Sequence, residues 1–393
     1  MSSSTSRGAA HVGIEAEQRM IGEILFWSGF GILFLSYCGY GLWMAWCARY
    51  RPNRVQPHYA PDDALPAVTC VMSARNEASL IGRKIAGVRS QDYPQDRIFI
   101  MVVSDGSSDQ TDEVVRAWSR RDDRIRLLRL ERASGKPAAI NHARPHIPTG
   151  VAVFMDVRQQ LTPRAIRDLV AHLADPTIGV VSGDLRVKGD LYWRYERFVR
   201  RCESRSGSMV QTTGSLYAIR TADVPPIPPT TILDDVYIPL SVALTGRRIV
   251  MAEEAGSLDV ATATVKSEFV RKVRTLAGLV QICHILSGCL RPGRNPAWGR
   301  FILHKLSRLA CPYGLVALFA GSLLAPHWGY RLVSAGLVLA LLMAAAAPLG
   351  LRFRLAAITT SFLALNAAAF WAVPAYYFGW ASVTWARVEV DRT

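Results

Sequence analysis

Residues 98–118 read "IFIMVVSDGSSDQTDEVVRAW", and how this stretch is read decides the fold. Ile98 to Ser104 is an apolar run of the length of a buried strand. Asp105, Gly106, Ser107, Ser108 and Asp109 follow at once, before a helical pattern that carries Val114 and Val115. Two readings of that polar burst stay open. One is a turn, with Gly106 supplying backbone freedom and Asp109 capping the helix. The other is a ligand at the carboxyl end of the strand, where open α/β sheets bind nucleotides.

Outward from this stretch, strand and helix patterns alternate. "AVTCVMS" (67–73) reads as a strand and 76–89 as a helix; "RIRLLRL" (124–130) is a strand, "KPAAINHAR" (136–144) a helix, "VAVFM" (151–155) a strand, and 162–173 a helix. Apolar strands spaced by helices predict βαβ units and a parallel sheet covered on both faces. The region from 66 to 262 is therefore expected to be one α/β domain, reached through a Pro-containing linker over 48–65.

The flanks have another character. Half of the 393 residues are hydrophobic. Residues 24–47 carry no charge, which exceeds the ~20 residues that cross a bilayer. The run is too long for a cleaved leader and follows a polar tail, 1–23. Three more apolar candidates (about 309–325, 333–350 and 355–380) give three spans within 309–380, with a tail over 381–393. Arg49, Arg51 and Arg54 follow the first span, and Arg352 and Arg354 lie between the last two, which predicts a cytoplasmic central region at the cell (inner) membrane. The net charge of +15 concentrates beside the spans: nine Lys or Arg and one acid lie between Lys266 and Ala310. Residues 263–308 thus read as basic and interfacial, facing anionic headgroups, with 277–290 along the membrane surface. No base-reading motif accompanies that charge, so membrane lipid rather than nucleic acid is the expected partner. The seven cysteines form no Cys-x-x-Cys pair, which argues against zinc and disulfide frameworks.

Three predicted strands end in polar residues that would meet at one sheet edge: "SARNE" (Ser73–Glu77), Asp105, and "MDVRQQ" with Asp156. Between them, Lys136 of "RASGKPAAIN" follows a glycine at a helix start. Alone it is a solvated lysine; in this company it is placed to meet phosphate. Asp234 and Asp235 open an apolar helix in "TTILDDVYIPLSVALTGRRIV". They are N-terminal caps or, as adjacent carboxylates that raise each other's pKa, a general base. In "EFVRKVRTLAG", Arg271, Lys272 and Arg274 suit a leaving diphosphate or lipid headgroups.

The ordered set "SARNE", "VVSDGSSD", "GKPAAIN", "MDVRQ", "TTGSLYAIR", "LDDVYIP" and "RKVRT" resembles membrane-embedded glycosyltransferase family 2, akin to hyaluronan, chitooligosaccharide and cellulose synthases. The resemblance covers about 66–275 and implies a Rossmann-like GT-A domain. It implies an inverting transfer from a UDP-sugar to a lipid-linked or polysaccharide acceptor, alongside other polysaccharide-synthesis proteins. On it, Asp105 would bind the uracil end, and Glu77 and Lys136 would lie by the nucleotide. Asp156 matches the first Asp of the DxD motif, which holds Mg2+ or Mn2+ on the diphosphate. Asp235 matches the catalytic base, with Asp234 beside it, and Arg274 the arginine of QxxRW. Two positions depart from the pattern. Arg158 stands where the second DxD carboxylate belongs, so a metal on Asp156 would be held more weakly or completed by substrate oxygens and water, or else Arg158 would supply the positive charge itself. Arg271 replaces Gln and Thr275 replaces Trp in QxxRW, which argues against processive synthesis. A processive synthase that extrudes its polymer and a non-catalytic nucleotide-binding membrane scaffold are the rival readings.

Overall fold

The computed structural model describes residues 3–187, 191–259, 265–346 and 354–381. Within them the chain divides into two compact units, one built on residues 41–264 and 281–301, the other on residues 1–40, 265–280 and 302–380.

The first unit is built around one eight-stranded sheet. Its strands are β1 (Val68–Ala74), β2 (Ile98–Asp105), β3 (Ile125–Leu130), β4 (Val151–Met155), β5 (Gln160–Leu161), β6 (Ile178–Val187), β7 (Leu216–Arg220) and β8 (Arg248–Asp259). Their order across the sheet is β3-β2-β1-β4-β7-β6-β8-β5. Its helices are α1 (Ala78–Arg89), α2 (Thr111–Ser119), α3 (Lys136–Ala143), α4 (Ala165–Leu173), α5 (Leu191–Ser206) and α6 (Asp234–Ala243). The four-stranded half read from the sequence is parallel, with Val68 opposite both Ile98 and Val151. The expectation of a wholly parallel sheet is corrected in the other half: β7 runs antiparallel to β4 and β6, and β5 antiparallel to β8. The sheet is mixed because β7 inserts between β4 and β6 and runs against both, although α5 lies between β6 and β7 in the chain.

Alternation along the strands sends side chains to two cores. Cys70, Met72, Ile100 and Val102 lie in one with Ile81 and Ile85 of α1 and Ile166 of α4. Val71, Met101, Val103 and Phe154 lie in the other with Ile140 of α3 and Ile238 of α6. Burial on both faces fixes the register, because a one-residue slip would exchange the two sets.

The other unit contains helices long and apolar enough to cross a membrane. Among the described residues four such helices occur, Ala16–Tyr50, Trp298–Leu324, Trp328–Ala346 and Ala356–Tyr377, one near the N-terminus and three toward the C-terminus. The first and second pack backbone to backbone: a Cβ on Gly29 would stand 2.4 Å from the Gly314 carbonyl oxygen, and one on Gly321 2.3 Å from the Phe26 nitrogen. Small residues permit this approach where lipid offers no hydrophobic drive between helices. The 277–290 segment belongs to a longer helix, Val265–Ile285, and a 3-10 turn, Ser287–Leu290. Arg352 and most of the 381–393 tail lie outside the described residues, as does the side chain of Arg354.

Candidate active site

The parallel register places Ala74, Asp105 and Asp156 at the same sheet edge, since Met72 pairs with Met155 and Ala74 with Ser104. The loops leaving that edge are laced together. Asn76, at φ +55°, takes the left-handed conformation that Asn tolerates better than most residues. Its Oδ1 accepts from the Ser108 N–H at 2.8 Å, and its own N–H donates to Ser107 Oγ at 3.2 Å. The Glu77 N–H donates to Thr111 Oγ1 at 2.8 Å. Asp109 accepts from the N–H groups of Ala78 and Thr111, at 3.2 and 3.0 Å, and so fastens the starts of α1 and α2 at once. Partial burial pushes the Asp109 carboxyl up, but the Thr111 hydroxyl and these N–H groups outweigh it and hold the group below the usual range.

Asp105 has a different task. It is 4% exposed, and its two oxygens accept from the backbone N–H groups of Ser134 and Gly135, at 2.7 and 2.9 Å. The loop so held leads into α3, whose first residue is Lys136 and whose second is Pro137, a residue suited to a helix's first turn. Gly106 (φ +61°) lets the Asp105 turn press against that loop: a Cβ there would stand 2.6 Å from the Ala133 nitrogen. Asp105 therefore positions Lys136, and its unused lone pairs remain for a ligand donor.

Lys136 is the hub. Its ammonium donates to Asp156 Oδ1 at 2.9 Å and to the Gly214 carbonyl at 3.2 Å, and lies 3.5 Å from Asp234 Oδ2. Burial works against its charge, yet Asp156 and Asp234 more than restore it and hold the group well above the usual lysine value. Asp235 stands beside them. Burial first, then the Asp234 charge, pushes its carboxyl up to about 6, against the pull of Lys136 and Arg200. The Asp235 carbonyl accepts from the Thr212 N–H and hydroxyl, at 3.1 and 3.2 Å, which pins the start of α6. Gly214 faces both groups: a Cβ there would lie 3.6 Å from Asp235 Oδ2 and 3.7 Å from Lys136 Nζ.

Beneath this cluster Tyr217 stacks on Phe154, ring centroids 5.1 Å apart. Burial and then Asp234 hold its phenol neutral, and its hydroxyl has no hydrogen-bond partner among the described residues. Arg200 of α5 is 6% exposed, lies over the Trp193 ring at 5.9 Å, and leaves its Nε without a hydrogen-bond partner among the described residues. Sequence reasoning assigned no role to Gly214, Tyr217, Thr212 or Arg200. "TTGSLYAIR" (212–220) was the signal for the first three.

Nine of the residues singled out in the sequence thus fall into groups. Lys136, Asp156, Asp234 and Asp235 converge, with Asp105 anchoring the loop before Lys136 and Glu77 at the neighbouring loop. Arg158 is exposed and lines a groove with Arg83 and Lys84, whose lining does not include the Lys136 cluster. Arg271 and Arg274 lie on the helix Val265–Ile285, in the part that belongs to the other unit. There Arg271 Nε pairs with Glu268 at 3.0 Å, and the Thr275 hydroxyl donates to the Arg271 carbonyl at 2.9 Å. Among the described residues, no group of three or more His, Cys, Asp or Glu side chains could by itself hold a metal ion. One carboxylate at Asp156 still suits a hard cation that takes its other ligands from diphosphate oxygens and water.

Residues 69–222 match the family Glycosyl transferase family 2. The chain carries a family 2 glycosyltransferase domain. Asp234, Asp235, Arg271 and Arg274 fall beyond the matched residues. The family 2 domain has curated relatives that include a beta-monoglucosyldiacylglycerol synthase of Synechocystis sp., 25% identical over 167 residues. Glycosyltransferase AglE of Haloferax volcanii is 28% identical over 172 residues, and the probable glycosyltransferase YdaM of Bacillus subtilis 31% over 127. These alignments cover 38%, 42% and 31% of this chain and 35%, 57% and 30% of the relatives. Among solved structures, the mannosyltransferase PcManGT from Pyrobaculum calidifontis, in complex with GDP-Man and Mn2+, superposes with a TM-score of 0.73 at 23% identity. It covers 92% of this chain and 99% of its own. At that identity the likeness is one of fold, and it bears out the GT-A architecture.

Proposed function

We propose that the protein is an inverting glycosyltransferase that moves a sugar from a nucleoside-diphosphate donor, of which UDP-sugar is our candidate, to a lipid acceptor at a membrane. The observation that carries this reading is Lys136 held between Asp156 and Asp234, with Asp235 alongside at the carboxyl edge of the sheet. A carboxylate whose pKa is about 6 is ionised at neutral pH and basic enough to take a proton.

In the proposed step the acceptor O–H bond breaks and its proton passes to Asp235. The acceptor oxygen bonds to the anomeric carbon on the face opposite the diphosphate. The bond from that carbon to the diphosphate oxygen breaks, and its electron pair leaves with the nucleoside diphosphate. An α-linked donor then gives a β-linked product. Lys136 stabilises the charge that develops on the leaving group, because a buried ammonium beside the breaking bond needs no reorganisation when the charge appears. Asp105 keeps Lys136 in place through the 134–135 backbone. A divalent cation, Mg2+ or Mn2+, would be held by Asp156 and would neutralise diphosphate charge. Arg271 and Arg274 are assigned to the diphosphate or to lipid headgroups on the motif resemblance alone.

The monoglucosyldiacylglycerol synthase relatives support a membrane lipid as acceptor over a growing polymer. Thr275 supports the same choice, since it offers a methyl and an internally bonded hydroxyl where processive enzymes of the family carry Trp. The test is a panel of labelled UDP- and GDP-sugars, the full chain, and vesicles with and without diacylglycerol. Label in a short, organic-extractable product, lost in Asp235→Asn, is the expected result. A high-mass polymer, or nucleotide binding without turnover of any donor, would overturn the proposal.

A further inference from the structure

A second concavity lies behind the Asp156 turn. Leu80, Arg83, Lys84 and Gln91 of α1 and its end line one side, and Val157 to Leu161 the other, around a volume of about 490 Å3. That falls in the range of small-molecule sites, roughly 300–1,000 Å3. Its lining contains three cationic side chains, Arg83, Lys84 and Arg158, and no acid. Arg83 and Arg158 are exposed and, among the described residues, neither makes an ion pair.

Lys84 is the unusual member. It is 6% exposed, and its ammonium donates to the Gln159 carbonyl at 2.6 Å, with no carboxylate in ion-pair contact among the described residues. Lys136, by contrast, is buried between two acids. A buried charge normally has an opposite charge beside it. Burial accordingly pulls Lys84 down to about 8, with the Asp156 charge opposing. Next to it Gln159, 5% exposed, donates Nε2 to Asp259 at 3.1 Å and leaves its Oε1 buried without a hydrogen-bond partner among the described residues. Uncompensated guanidinium forks on both walls suit phosphate, whose oxygens they can engage two at a time.

We propose that this groove is an anion site distinct from the donor site, that it takes a phosphate-bearing small molecule, and that its occupant acts on the Asp156–Gln159 turn through Lys84. The turn begins at Asp156, so an anion that draws Lys84 and Arg158 toward itself changes the support beneath the carboxylate facing Lys136. The anion site stands independently of the transferase reading; its coupling to the donor rests on that reading.

The experiment uses the full chain in phosphatidylcholine nanodiscs with EDTA, titrated with inorganic pyrophosphate by calorimetry at saturating UDP and, separately, GDP. Pyrophosphate is expected to bind with nucleotide present, and Arg83→Gln to weaken it at least fivefold while nucleotide affinity and basal transfer are unchanged. Full displacement of pyrophosphate by nucleotide, or no effect of Arg83→Gln, overturns the site. Nanodiscs containing phosphatidic acid separate the sources. Weaker pyrophosphate binding there, absent in Arg83→Gln, supports a lipid phosphate as occupant; unchanged binding supports a free one. Coupling is read as a shift of at least threefold in nucleotide affinity on saturation with pyrophosphate, removed by Lys84→Met. No shift in the wild type overturns the coupling, and that measurement stands alone if Lys84→Met does not fold. Should neither nucleotide bind, the Arg83 dependence of pyrophosphate still tests the anion site while the transferase reading fails by itself.

Discussion

Lowering the pH should switch the enzyme off about two units earlier than an ordinary aspartate would allow. Asp235 is pushed up to about 6 by burial and by Asp234. A group at about 6 is roughly 9% ionised at pH 5 and roughly 97% at pH 7.5; one at the ordinary Asp value of about 3.9 would be over 90% ionised at both. If Asp235 in its ionised form takes the acceptor proton, the transfer rate should fall about tenfold between pH 7.5 and pH 5. The charged groups around it are Asp234, Lys136, Arg200 and Asp156, with Tyr217 neutral beneath. Asp234→Asn removes the charge that adds most to burial, so the acid limb should move to lower pH. The substitution leaves Lys136 its other carboxylate, Asp156, which stands at 2.9 Å in the wild type. The assay is single-turnover transfer at saturating donor and acceptor, with melting followed at each pH. A rate at pH 5 above about 80% of the plateau, or a limb that Asp234→Asn leaves in place, would refute the reasoning.

Asp235→Asn should cut turnover by on the order of a hundredfold or more while nucleotide affinity holds; near-normal turnover would move the base to Asp234. The same variant should raise stability at neutral pH by on the order of 2–3 kcal/mol, because a carboxyl whose folded pKa lies above its unfolded value loses stability as pH rises from about 4 to 6. That gain should vanish in melts below pH 4. Asp105→Asn, offering one acceptor to two N–H groups, should cost about 1–3 kcal/mol and weaken nucleotide binding, measured by melting and calorimetry. Gly214→Ala should change stability by less than about 1 kcal/mol, since its methyl meets only ordinary contacts, yet lower kcat/KM at least tenfold by standing between Asp235 and Lys136. EDTA should abolish transfer and Mg2+ or Mn2+ restore it; full activity in EDTA would assign the cation's role to protein side chains.

Much of the first half of the sheet was legible because its strands are continuous apolar runs, buried on both faces and stopped by polar residues. Asp105, Lys136 and Asp156 were legible for the same reason, each being the first polar group after such a run or the first residue of a helix. The strands β6, β7 and β8 were not. β8 carries Glu253 and Glu254 within it, and β6 carries Gly183 and Asp184, which blur any period-two signal. Gly183 is where the β6–β8 register shifts, and a Cβ there would meet Leu216 at 2.8 Å and the Ala255 carbonyl at 2.9 Å. Such an approach exists only in three dimensions. Tyr217, Thr212 and Arg200 escaped notice likewise, since each acts through groups far away in sequence.

The charges of the cluster explain how two adjacent acids come to have different work. Both open α6, and composition alone makes either the base. Asp234 lies 3.5 Å from the Lys136 ammonium. Asp235 makes no ion pair with Lys136 among the described residues; burial and then the Asp234 charge raise it, against a weaker pull from Lys136. Asp235 is therefore the carboxylate whose basicity is raised, and Asp234 the one in ion-pair contact with Lys136. The same charges bear on the donor. With Asp156, Asp234 and Asp235 ionised against Lys136 and Arg200, the cluster holds one more negative charge than positive. A diphosphate entering it adds further negative charge that Lys136 alone, already shared between two carboxylates, does not offset. Arg158 lines the groove behind the turn with Arg83, outside the cluster's contacts. The balance is thus best restored by a cation that arrives with the diphosphate and rests on Asp156, so the motif's missing second carboxylate removes a ligand without removing the need for the metal.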